Sequence, residues 1–421
     1  MKILYISQYF PPEMGAPAAR ASELAHHWAA AGHRVTVLTG FPNHPTGVVP
    51  PEYRAKLRRL TQHEKWDGVD VLRTWLWPLP NRKAHERMLN YSSFFFSSAI
   101  TGLFAPKADV VIASSPQLLV ALSGWWLARS KKVPFIFEVR DLWPESLEAV
   151  GMASGNSLLH RFLAKIAGFL YTNSDHIVVV TPAFKDHLVR NWKISPRKIS
   201  IVENGVETDL FAPTDATALR KKLNAEGKFI VGYIGTLGLA HGLETLLEAA
   251  RQLQHTNAEI LFLLVGDGAE REKVAHLVRH HGLNNVLFSG QQPREAVPAY
   301  ISASDACVVL LKKSELFKTV IPTKMLEFMS CSRPVILSVD GQARQVLEQA
   351  QAGICMEPEN VSALVQAILR LTRNAGLRNT LGNNGRRYIV QHLSREYTAR
   401  VYIDVLHELL GNAPNARAAA A

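Results

Sequence analysis

A chain of 421 residues is too long for one ordinary hydrophobic core, which predicts two or three domains. Its composition, with 47% hydrophobic and 20% charged residues, excludes a disordered or fibrous protein. The net charge of +11 is concentrated in residues 1–205, where 24 Lys and Arg face 15 Asp and Glu, so a membrane surface, nucleic acid or an anionic ligand is expected as a partner.

The first forty residues predict a β-α-β unit. KILYIS and RVTVLT are short apolar strands on either side of the helical stretch AARASELAHHWAAAGH, and QYFPPEMGAP is the loop after the first strand. Continuous apolar strands are typical of a parallel sheet covered on both faces. The N-terminus has one basic residue, a short apolar run and then prolines, so no signal peptide is expected there.

The same alternation recurs and predicts an α/β protein with two doubly wound parallel sheets. The first series continues with DVVIAS, PFIFEV, HIVVVT and ISIVEN, and the second contains FIVGYIG, EILFLLVGDG, VLFSG, ACVVLL and PVILSV. Apolar periodicity lapses between the two series, near residues 204–220. We therefore predict an N-terminal domain of residues 1–205 and a C-terminal domain of residues 206–393.

The last segment, residues 394–421, predicts a helix that packs on the body and is followed by a frayed tail. SREYTARVYIDVLHELLG has apolar residues at intervals of four and a glycine stop. The expected packing stripe consists of Tyr397, Val401, Val405 and Leu409.

Residues 52–105 form the least regular part and mix basic, aromatic and apolar side chains. The residues concerned are Trp75, Trp77, Arg82, Lys83, Arg87 and Phe94 to Phe96. This mixture suits a membrane interface, and a helix that covers the sheet explains it equally well. No stretch approaches about 18 uninterrupted apolar residues, so we expect a cytoplasmic protein that touches the inner membrane without crossing it.

Ligands of open parallel sheets bind beyond the carboxyl ends of the strands. Residues at such positions here are Gly15, Arg140, Asp141, Gly235, Gly266 and Gln291. Gly15 precedes a helix, where bare backbone amides can approach an anion. Thr236 and His241 lie in the glycine-rich stretch GTLGLAHG, which has neither the P-loop nor the dinucleotide-binding order, so an ATPase or a dehydrogenase is not supported.

Two further stretches concentrate polar residues next to apolar strands. VIPTKMLEFMSCSRPVI places Lys324 and Glu327 on one face at the start of a helix, which is typical of a site. EVRDLWPES brings Arg140 and Asp141 after a strand, where a carboxylate near a guanidinium can orient a hydroxyl. An ion pair beside a packed tryptophan explains the second stretch equally well.

Metal chemistry is not expected from this sequence. Cys307, Cys331 and Cys355 have no CxxC spacing and lie in or beside apolar runs, so they are expected to be inert core thiols in a reducing compartment. The chain also lacks an Asp-x-Asp pair. We therefore expect no metal and no other cofactor, and any diphosphate would be neutralised by helix ends and basic side chains.

In their order and content, several stretches resemble the retaining GT-B glycosyltransferases of glycosyltransferase family 4, which includes bacterial polysaccharide, O-antigen and colanic-acid transferases. The stretches include FEVRDLWPES, ISIVENGVETDLFAP, YIGTLGLAHGLETLLEAA, LVGDGAEREKV and PTKMLEFMSCSRPVI. The resemblance covers the chain to about residue 395. It implies two Rossmann-like domains that face each other across a cleft, with the nucleotide sugar on the C-terminal domain and the acceptor on the N-terminal one.

The resemblance also implies roles for individual residues. Glu327 matches the second glutamate of the family's E-x7-E motif, which takes the ribose hydroxyls, and Lys324 would lie near the diphosphate. Thr319 stands where the first glutamate is usual, so Glu315 or backbone amides would replace it. Thr236 and the region of His241 replace a usual Arg and Lys pair, and Arg140 replaces a frequent histidine. Gly15, Gly235, Gly266 and Gln291 complete the implied donor site.

The activity implied is metal-independent, retaining transfer of a hexose, N-acetylated or deoxy, from a UDP donor to a polyprenyl-diphosphate-linked saccharide. Asp141, with Arg140, would orient the acceptor hydroxyl. The implied partners are the nucleotide sugar, the lipid-linked acceptor and the inner-membrane surface, and nucleic acid is not one of them. A GT-B sugar-nucleotide epimerase and a non-catalytic scaffold of a polysaccharide assembly complex are the alternatives.

Overall fold

A computed structural model describes residues 1–44, 46–80, 84–115, 117–146 and 158–411. The chain divides into two compact units, which we call the N-terminal unit, Met1–Asn204 with the chain from Arg395 onward, and the C-terminal unit, Gly205–Ser394. The final helix therefore belongs to the N-terminal unit. The predicted tail, residues 412–421, lies outside the described residues, as do Arg82 and Lys83.

The N-terminal unit is built on an eight-stranded sheet with the order β3-β4-β2-β1-β5-β6-β7-β8. All pairs are parallel except β3 with β4. The strands are β1 Lys2–Ile6, β2 Arg34–Gly40, β3 Thr61–Trp66, β4 Val69–Thr74, β5 Val110–Ser114, β6 Phe135–Val139, β7 His176–Val179 and β8 Ile199–Ile201. The helices are α1 Ala16–Ala30, α2 Pro51–Arg54, α3 Ala84–Thr101, α4 Leu118–Lys131, α5 Leu158–Asn173 and α6 Pro182–Trp192.

The hairpin of β3 and β4 lies in the segment that the sequence analysis treated as irregular. Its turn contains Asp67 and Gly68, both with positive φ, at 44° and 82°. An Asp-Gly pair between two strands is a strong hairpin signal, so the hairpin was predictable from the sequence. The strand β4 also extends the parallel sheet, because it pairs with β2.

The C-terminal helix of the chain, α15 Arg395–Leu409, packs on α1, and the centre of its packing stripe is shifted from the predicted positions. Its buried apolar residues are Ala399, Tyr402, Ile403 and Leu406. Of the predicted stripe, Tyr397 is 38% exposed, whereas Val401, Val405 and Leu409 are partly buried and pack against the same core, so the prediction is wrong for Tyr397 and missed the most buried positions. The reason is Trp28 on α1, whose indole Nε1 donates to the Ala399 carbonyl at 3.2 Å and whose ring lies 5.1 Å from that of Tyr402.

A fully buried ion pair joins α1 to β6 in the N-terminal unit. The Arg20 guanidinium donates to Oε1 of Glu138 at 2.9 Å, and the Tyr5 hydroxyl donates to Oε2 at 2.8 Å. Arg20 also donates to the carbonyls of Val202 and Glu203, just beyond β8. Burial alone would raise the pKa of Glu138, but Arg20 and the other partners outweigh burial and lower it.

Replacing Arg20 with methionine is expected to lower the free energy of unfolding by about 3–5 kcal/mol, because the Glu138 charge would stay buried without its partner. Urea denaturation monitored by circular dichroism measures the change. As a control, Arg190→Met breaks an exposed pair with Asp186 and should change stability by no more than about 0.5 kcal/mol. Equal effects of the two variants would contradict a structural role for the buried pair.

The C-terminal unit is built on a six-stranded parallel sheet with the order β11-β10-β9-β12-β13-β14. Its strands are β9 Phe229–Ile234, β10 Ile260–Val265, β11 Val286–Gly290, β12 Ala306–Leu310, β13 Val335–Ser338 and β14 Gly353–Cys355. Its helices are α7 Thr217–Lys222, α8 Glu244–Leu253, α9 Arg271–His280, α10 Val297–Ala303, α11 Thr323–Ser330, α12 Gln342–Ala350, α13 Val361–Arg373 and α14 Ala375–His392.

Both faces of this second sheet are covered, as its apolar strands predict. Along β12, Cys307 and Val309 belong to one hydrophobic core, whereas Val308 and Leu310 belong to the other. Such burial on both faces requires an unbroken apolar run rather than an alternating one. The fold prediction of two α/β parallel-sheet units is therefore confirmed.

The three cysteines lie in or beside the hydrophobic cores, as the apolar runs around them predict. Cys307 and Cys331 are buried and Cys355 is partly buried, all three are free thiols, and burial raises the pKa of each. A raised pKa keeps a thiol protonated and weakly nucleophilic. Within the described ranges, none of the helices is both long enough and apolar enough to cross a membrane.

Candidate active site

Three loops of the C-terminal unit lie side by side at the carboxyl ends of β9, β10 and β11. Gly235 follows β9, and its amide donates to the carbonyl of Val265 at the end of β10 at 2.9 Å. Gly266 follows β10, and its amide donates to the Gly290 carbonyl at 2.8 Å. Gln291 comes next and is exposed. The sheet therefore brings these three predicted positions to one edge.

The first two loops approach each other so closely that only glycine fits. Gly266 has a φ of 135°, and a Cβ atom at this position would lie 2.0 Å from the carbonyl oxygen of Gly235. A backbone atom cannot move away from such a contact as a flexible side chain can. Glycine loops that bring two main chains together at the carboxyl edge of a sheet are common at sites for phosphate groups.

Replacing Gly266 with alanine is expected to destabilise the C-terminal unit by more than the roughly 1–2 kcal/mol that a positive φ costs a non-glycine residue. Gly282→Ala is the matched control, because Gly282 also has a positive φ, of 60°, but a Cβ atom added there would have no other atom within 4 Å. Thermal unfolding of both variants measures the difference. A smaller loss for Gly266→Ala than for Gly282→Ala would contradict the close approach.

Lys324 extends from the first turn of α11 to the loop after β9. Pro322 precedes this helix, and proline is favourable beside a helix start. The Lys324 ammonium donates to the Tyr233 hydroxyl at 3.0 Å and lies 4.3 Å from the centre of the Tyr233 ring. The same hydroxyl donates to the carbonyl of Thr236 at 2.8 Å. A Cβ atom on Gly235 would be only 3.4 Å from Lys324 Nζ.

The environment of Lys324 disfavours positive charge. Burial lowers its pKa to about 7, although Glu327 acts in the opposite direction. Burial, and then Lys324, lower the pKa of His241 to about 3, so this imidazole is neutral at pH 7. Its Nδ1 lies 3.3 Å from the carbonyl of Leu310 and can donate to it. A bound anion would supply the negative charge that favours protonation of Lys324.

Glu327 lies one turn after Lys324 on α11 and is mostly buried. Nη1 of Arg294 lies 3.5 Å from Oε1 of Glu327, and the Arg294 guanidinium is 5.0 Å from the centre of the Phe211 ring. Arg294 was not among the predicted site residues. It comes four residues after the end of β11, so the strand-end rule that selected Gln291 could also have selected it.

Two other positions are placed less favourably for ligand contact. Thr319 ends the short 3-10 turn Phe317–Thr319, and its hydroxyl donates to the Leu316 carbonyl at 2.6 Å. Glu315, considered as a substitute for the usual glutamate, is 88% exposed and pairs with Lys318 at 2.7 Å. Thr236, in contrast, follows Gly235 in the loop after β9 and is exposed.

In the N-terminal unit, Gly15 and the pair of Arg140 and Asp141 lie at the carboxyl edge of the sheet. Gly15 has a φ of 120° and precedes α1. Arg140 follows β6, and its guanidinium donates to the carbonyl of Ala16 at 3.3 Å. The Ser115 hydroxyl oxygen accepts from the amides of Arg140 and Asp141, at 2.7 and 3.3 Å. The structure thus brings these three predicted residues together.

The two side chains after β6 have unusual electrostatics. Burial raises the pKa of Asp141 to about 6, although Arg140 acts in the opposite direction. Burial and Arg20 lower the pKa of Arg140. A carboxyl with a pKa near neutrality beside a cation is suited to accept or share a proton with a hydroxyl.

A buried carboxylate that the sequence analysis missed ties two loops of this edge together. Oε1 of Glu13 accepts from the amides of Asn43 and His44, both at 2.9 Å. Burial raises the pKa of Glu13 to about 7 in spite of these hydrogen bonds. Among the described residues there is no cluster of three or more His, Cys, Asp or Glu that could hold a metal ion.

Comparisons with known proteins agree with this architecture. Residues 15–205 match the model of a glycosyl transferase 4-like domain, and residues 215–388 match that of glycosyl transferases group 1. A putative colanic acid biosynthesis glycosyl transferase from Escherichia coli, WcaI, is 26% identical over 96% of this chain and 99% of its own length.

Solved structures show the same fold. Sucrose-phosphate synthase from Thermosynechococcus elongatus has a TM-score of 0.78 at 22% identity, and the alignment covers 98% of this chain and 100% of that one. HepE from Anabaena, solved in complex with UDP-glucose, has a TM-score of 0.72 at 16% identity over 97% of this chain and 100% of that one. Since the two family models leave few residues of the chain unmatched, this protein belongs to the GT-B glycosyltransferases that combine a glycosyl transferase 4-like domain with a group 1 domain.

Proposed function

We propose that the protein is a retaining, metal-independent hexosyltransferase that moves a sugar from a UDP donor to a polyprenyl-diphosphate-linked saccharide. The product would serve O-antigen, capsule or exopolysaccharide synthesis. The observation that carries the proposal is Lys324 held against the glycine loop after β9, because burial disfavours its charge and an anion bound beside the loop would restore it. The name of WcaI and the UDP-glucose complex of HepE support the same class of pathway and donor.

In this proposal the C-terminal unit holds the donor. Lys324 and the backbone amides near Gly235 stabilise the charge that develops on the diphosphate as the bond between it and the sugar C1 breaks. Glu327 accepts hydrogen bonds from the ribose hydroxyls, as a fixed carboxylate is suited to do. Thr236, His241, Gly266, Gln291 and Thr319 are proposed as further donor contacts, and Gly15 of the N-terminal unit as a contact through its main chain.

Asp141 and Arg140 are proposed to act on the acceptor. Asp141 would accept a hydrogen bond from the acceptor hydroxyl and then its proton, as the hydroxyl oxygen forms the new bond to C1 and the bond from C1 to the diphosphate breaks. Arg140 would hold the Asp141 carboxyl in place. The sugar transferred is proposed to be an N-acetylated or deoxy hexose.

An exposed apolar face on the N-terminal unit supports attachment to a membrane. The helices α3 and α4 pack together, as do α4 and α5, and a 3-10 turn, Gly102–Phe104, follows α3. Their exposed side chains include Phe96, Ile100, Phe104, Trp126 and Phe162, each between 48% and 84% exposed. Together with the basic N-terminal half, this face suits the anionic cytoplasmic surface of the inner membrane.

The double change Phe96→Ser and Phe104→Ser is expected to weaken binding to vesicles by at least about tenfold, since both side chains would otherwise enter the apolar region. Cosedimentation with vesicles that contain phosphatidylglycerol measures the change. Val390→Ser, which removes a 47% exposed apolar side chain on α14, is the control. Equal binding of all three proteins, or no dependence on phosphatidylglycerol, would contradict the membrane assignment.

The activity is tested by incubating the purified protein with UDP- and GDP-sugars, with and without a polyprenyl-diphosphate saccharide. UDP release only with the acceptor, and a product heavier by one sugar whose anomeric configuration matches the donor, are expected. Isomerised UDP-sugar without acceptor would instead identify an epimerase. If the protein shows no turnover and binds no donor, a scaffold role would be the remaining alternative.

A further inference from the structure

Glu327 is supported by a chain of contacts that begins outside the predicted donor site. The Arg294 guanidinium lies 3.5 Å from Oε1 of Glu327 on one side and 5.0 Å from the centre of the Phe211 ring on the other. The Phe211 ring is buried, with 1% exposure. Arg294 thus connects a rigid aromatic ring to the carboxylate.

Phe211 is itself held in place through its main chain. Its carbonyl accepts from the Ser330 hydroxyl at 2.6 Å and from Arg386 at 2.8 Å. Arg386 also donates to the Ser330 carbonyl at 3.0 Å. Because Ser330 ends α11, the helix that carries Glu327, these contacts fix the Phe211 segment relative to the same helix.

This arrangement limits the rotation of Glu327. A glutamate has three side-chain torsions, and free rotation would spread its carboxylate over many orientations. A planar guanidinium that is stacked on a ring offers a donor in a fixed direction, which a lysine ammonium does not. Holding one carboxylate oxygen reduces the conformational freedom that ligand binding would otherwise have to remove.

We propose that Arg294 is a positioning residue that orients Glu327 for the ribose hydroxyls of the nucleotide. This inference rests on the proposed function, because it assigns Glu327 to the ribose. Arg294 itself need not touch the ligand. Its removal should therefore affect the part of the affinity that depends on the ribose hydroxyls and leave the rest.

The test compares the affinities of UDP and 2′-deoxy-UDP by calorimetric titration. Wild type is expected to bind UDP about tenfold more tightly, which corresponds to one good hydrogen bond to a charged group. Arg294→Met should reduce this preference to about twofold or less, mainly by weakening UDP binding. Glu327→Ala should abolish the preference, and the double variant should behave like Glu327→Ala alone.

Arg344→Met is the matched control, because Arg344 is similarly exposed and pairs with Glu348 on α12. It should retain the wild-type preference. Retention of the preference in Arg294→Met, or an equal loss of affinity for both ligands, would overturn the positioning role. Thermal unfolding of Arg294→Met checks that the unit is folded, and Arg294→Lys provides a second variant that keeps the charge but lacks the planar group.

The outcomes separate this inference from the proposed function. If wild type binds UDP and prefers it to the deoxy analogue while Arg294→Met behaves identically, only the positioning role fails. If wild type binds no UDP, the proposed donor and the positioning role fail together.

Discussion

Replacing Lys324 with methionine is expected to reduce transfer by roughly 10²- to 10³-fold while making the protein more stable. The loss follows from removing the cation that is proposed to stabilise the leaving diphosphate. The gain follows from removing an amine whose charged form burial disfavours, as its lowered pKa of about 7 indicates. Methionine keeps the length and the apolar stem of lysine, so the packing against Tyr233 is largely preserved.

The stability gain should depend on pH with a definite sign. Between pH 7 and about 10.5 the folded state binds fewer protons at Lys324 than the unfolded state, so the stability of wild type rises with pH in this window. The advantage of Lys324→Met is therefore largest below pH 7 and should shrink towards pH 10. Urea denaturation at pH 6.5 and pH 9.5 measures it.

Donor binding should require the protonated form of Lys324, which is the form that lowers the stability of the folded protein. In the proposed role only protonated Lys324 pairs with the diphosphate, so the UDP affinity of wild type should fall by up to about tenfold per pH unit above pH 7. The methionine variant should lack this dependence. Lys228→Met, which removes an exposed lysine of the same unit, is the control and should leave both activity and stability near wild type. An unstable but active Lys324→Met would contradict the role of the lysine.

Replacing Asp141 with asparagine is expected to lower kcat by roughly 10²- to 10⁴-fold, the usual contribution of a positioned acid or base. Asparagine has nearly the same shape and is always neutral, so the hydrogen bonds from the main chain to Ser115 can persist. Donor binding should change little, because Asp141 is assigned to the acceptor. Initial rates at saturating UDP-sugar, together with UDP titrations, separate the two effects.

Stability of the Asp141→Asn variant also has a predicted sign. The pKa of Asp141 is raised from 3.8 to about 6, so between these values the folded state binds more protons at this carboxyl than the unfolded state does. The stability of wild type therefore falls as the pH rises from 3.8 to about 6. The variant should therefore be more stable than wild type at pH 7.5 and similar to it near pH 4. Asp186→Asn, at an exposed position of the same unit, should show neither effect. A full rate with Asp141→Asn would remove this residue from the mechanism.

Strands and helix starts that depend on local residue patterns could be predicted from the sequence. Buried parallel strands such as β9 and β12 are unbroken apolar runs in the sequence, and the start of α11 was predicted within the stretch VIPTKMLEFMSCSRPVI. The hairpin of β3 and β4 was missed because its strands are mixed in polarity, even though Asp67 and Gly68 mark its turn.

Features that depend on contacts between distant segments were not accessible in the same way. The sequence identifies Lys324 and Gly235 as separate candidates, but only the fold shows that the lysine lies against that loop. The support of Glu327 by Arg294 and Phe211 joins three segments that are far apart in the chain. The stripe of α15 likewise depends on Trp28, more than 350 residues earlier.

The central claim is that the C-terminal unit binds the diphosphate of a nucleotide sugar through Lys324 and the loop after β9. Calorimetric titration with UDP and with UMP at pH 6.5 tests it most directly, because the two ligands differ only in the second phosphate. Wild type is expected to prefer UDP by at least about tenfold, and Lys324→Met should lose most of that preference. Equal affinity of wild type for both nucleotides, or a preference for UDP that survives in Lys324→Met, would contradict the claim.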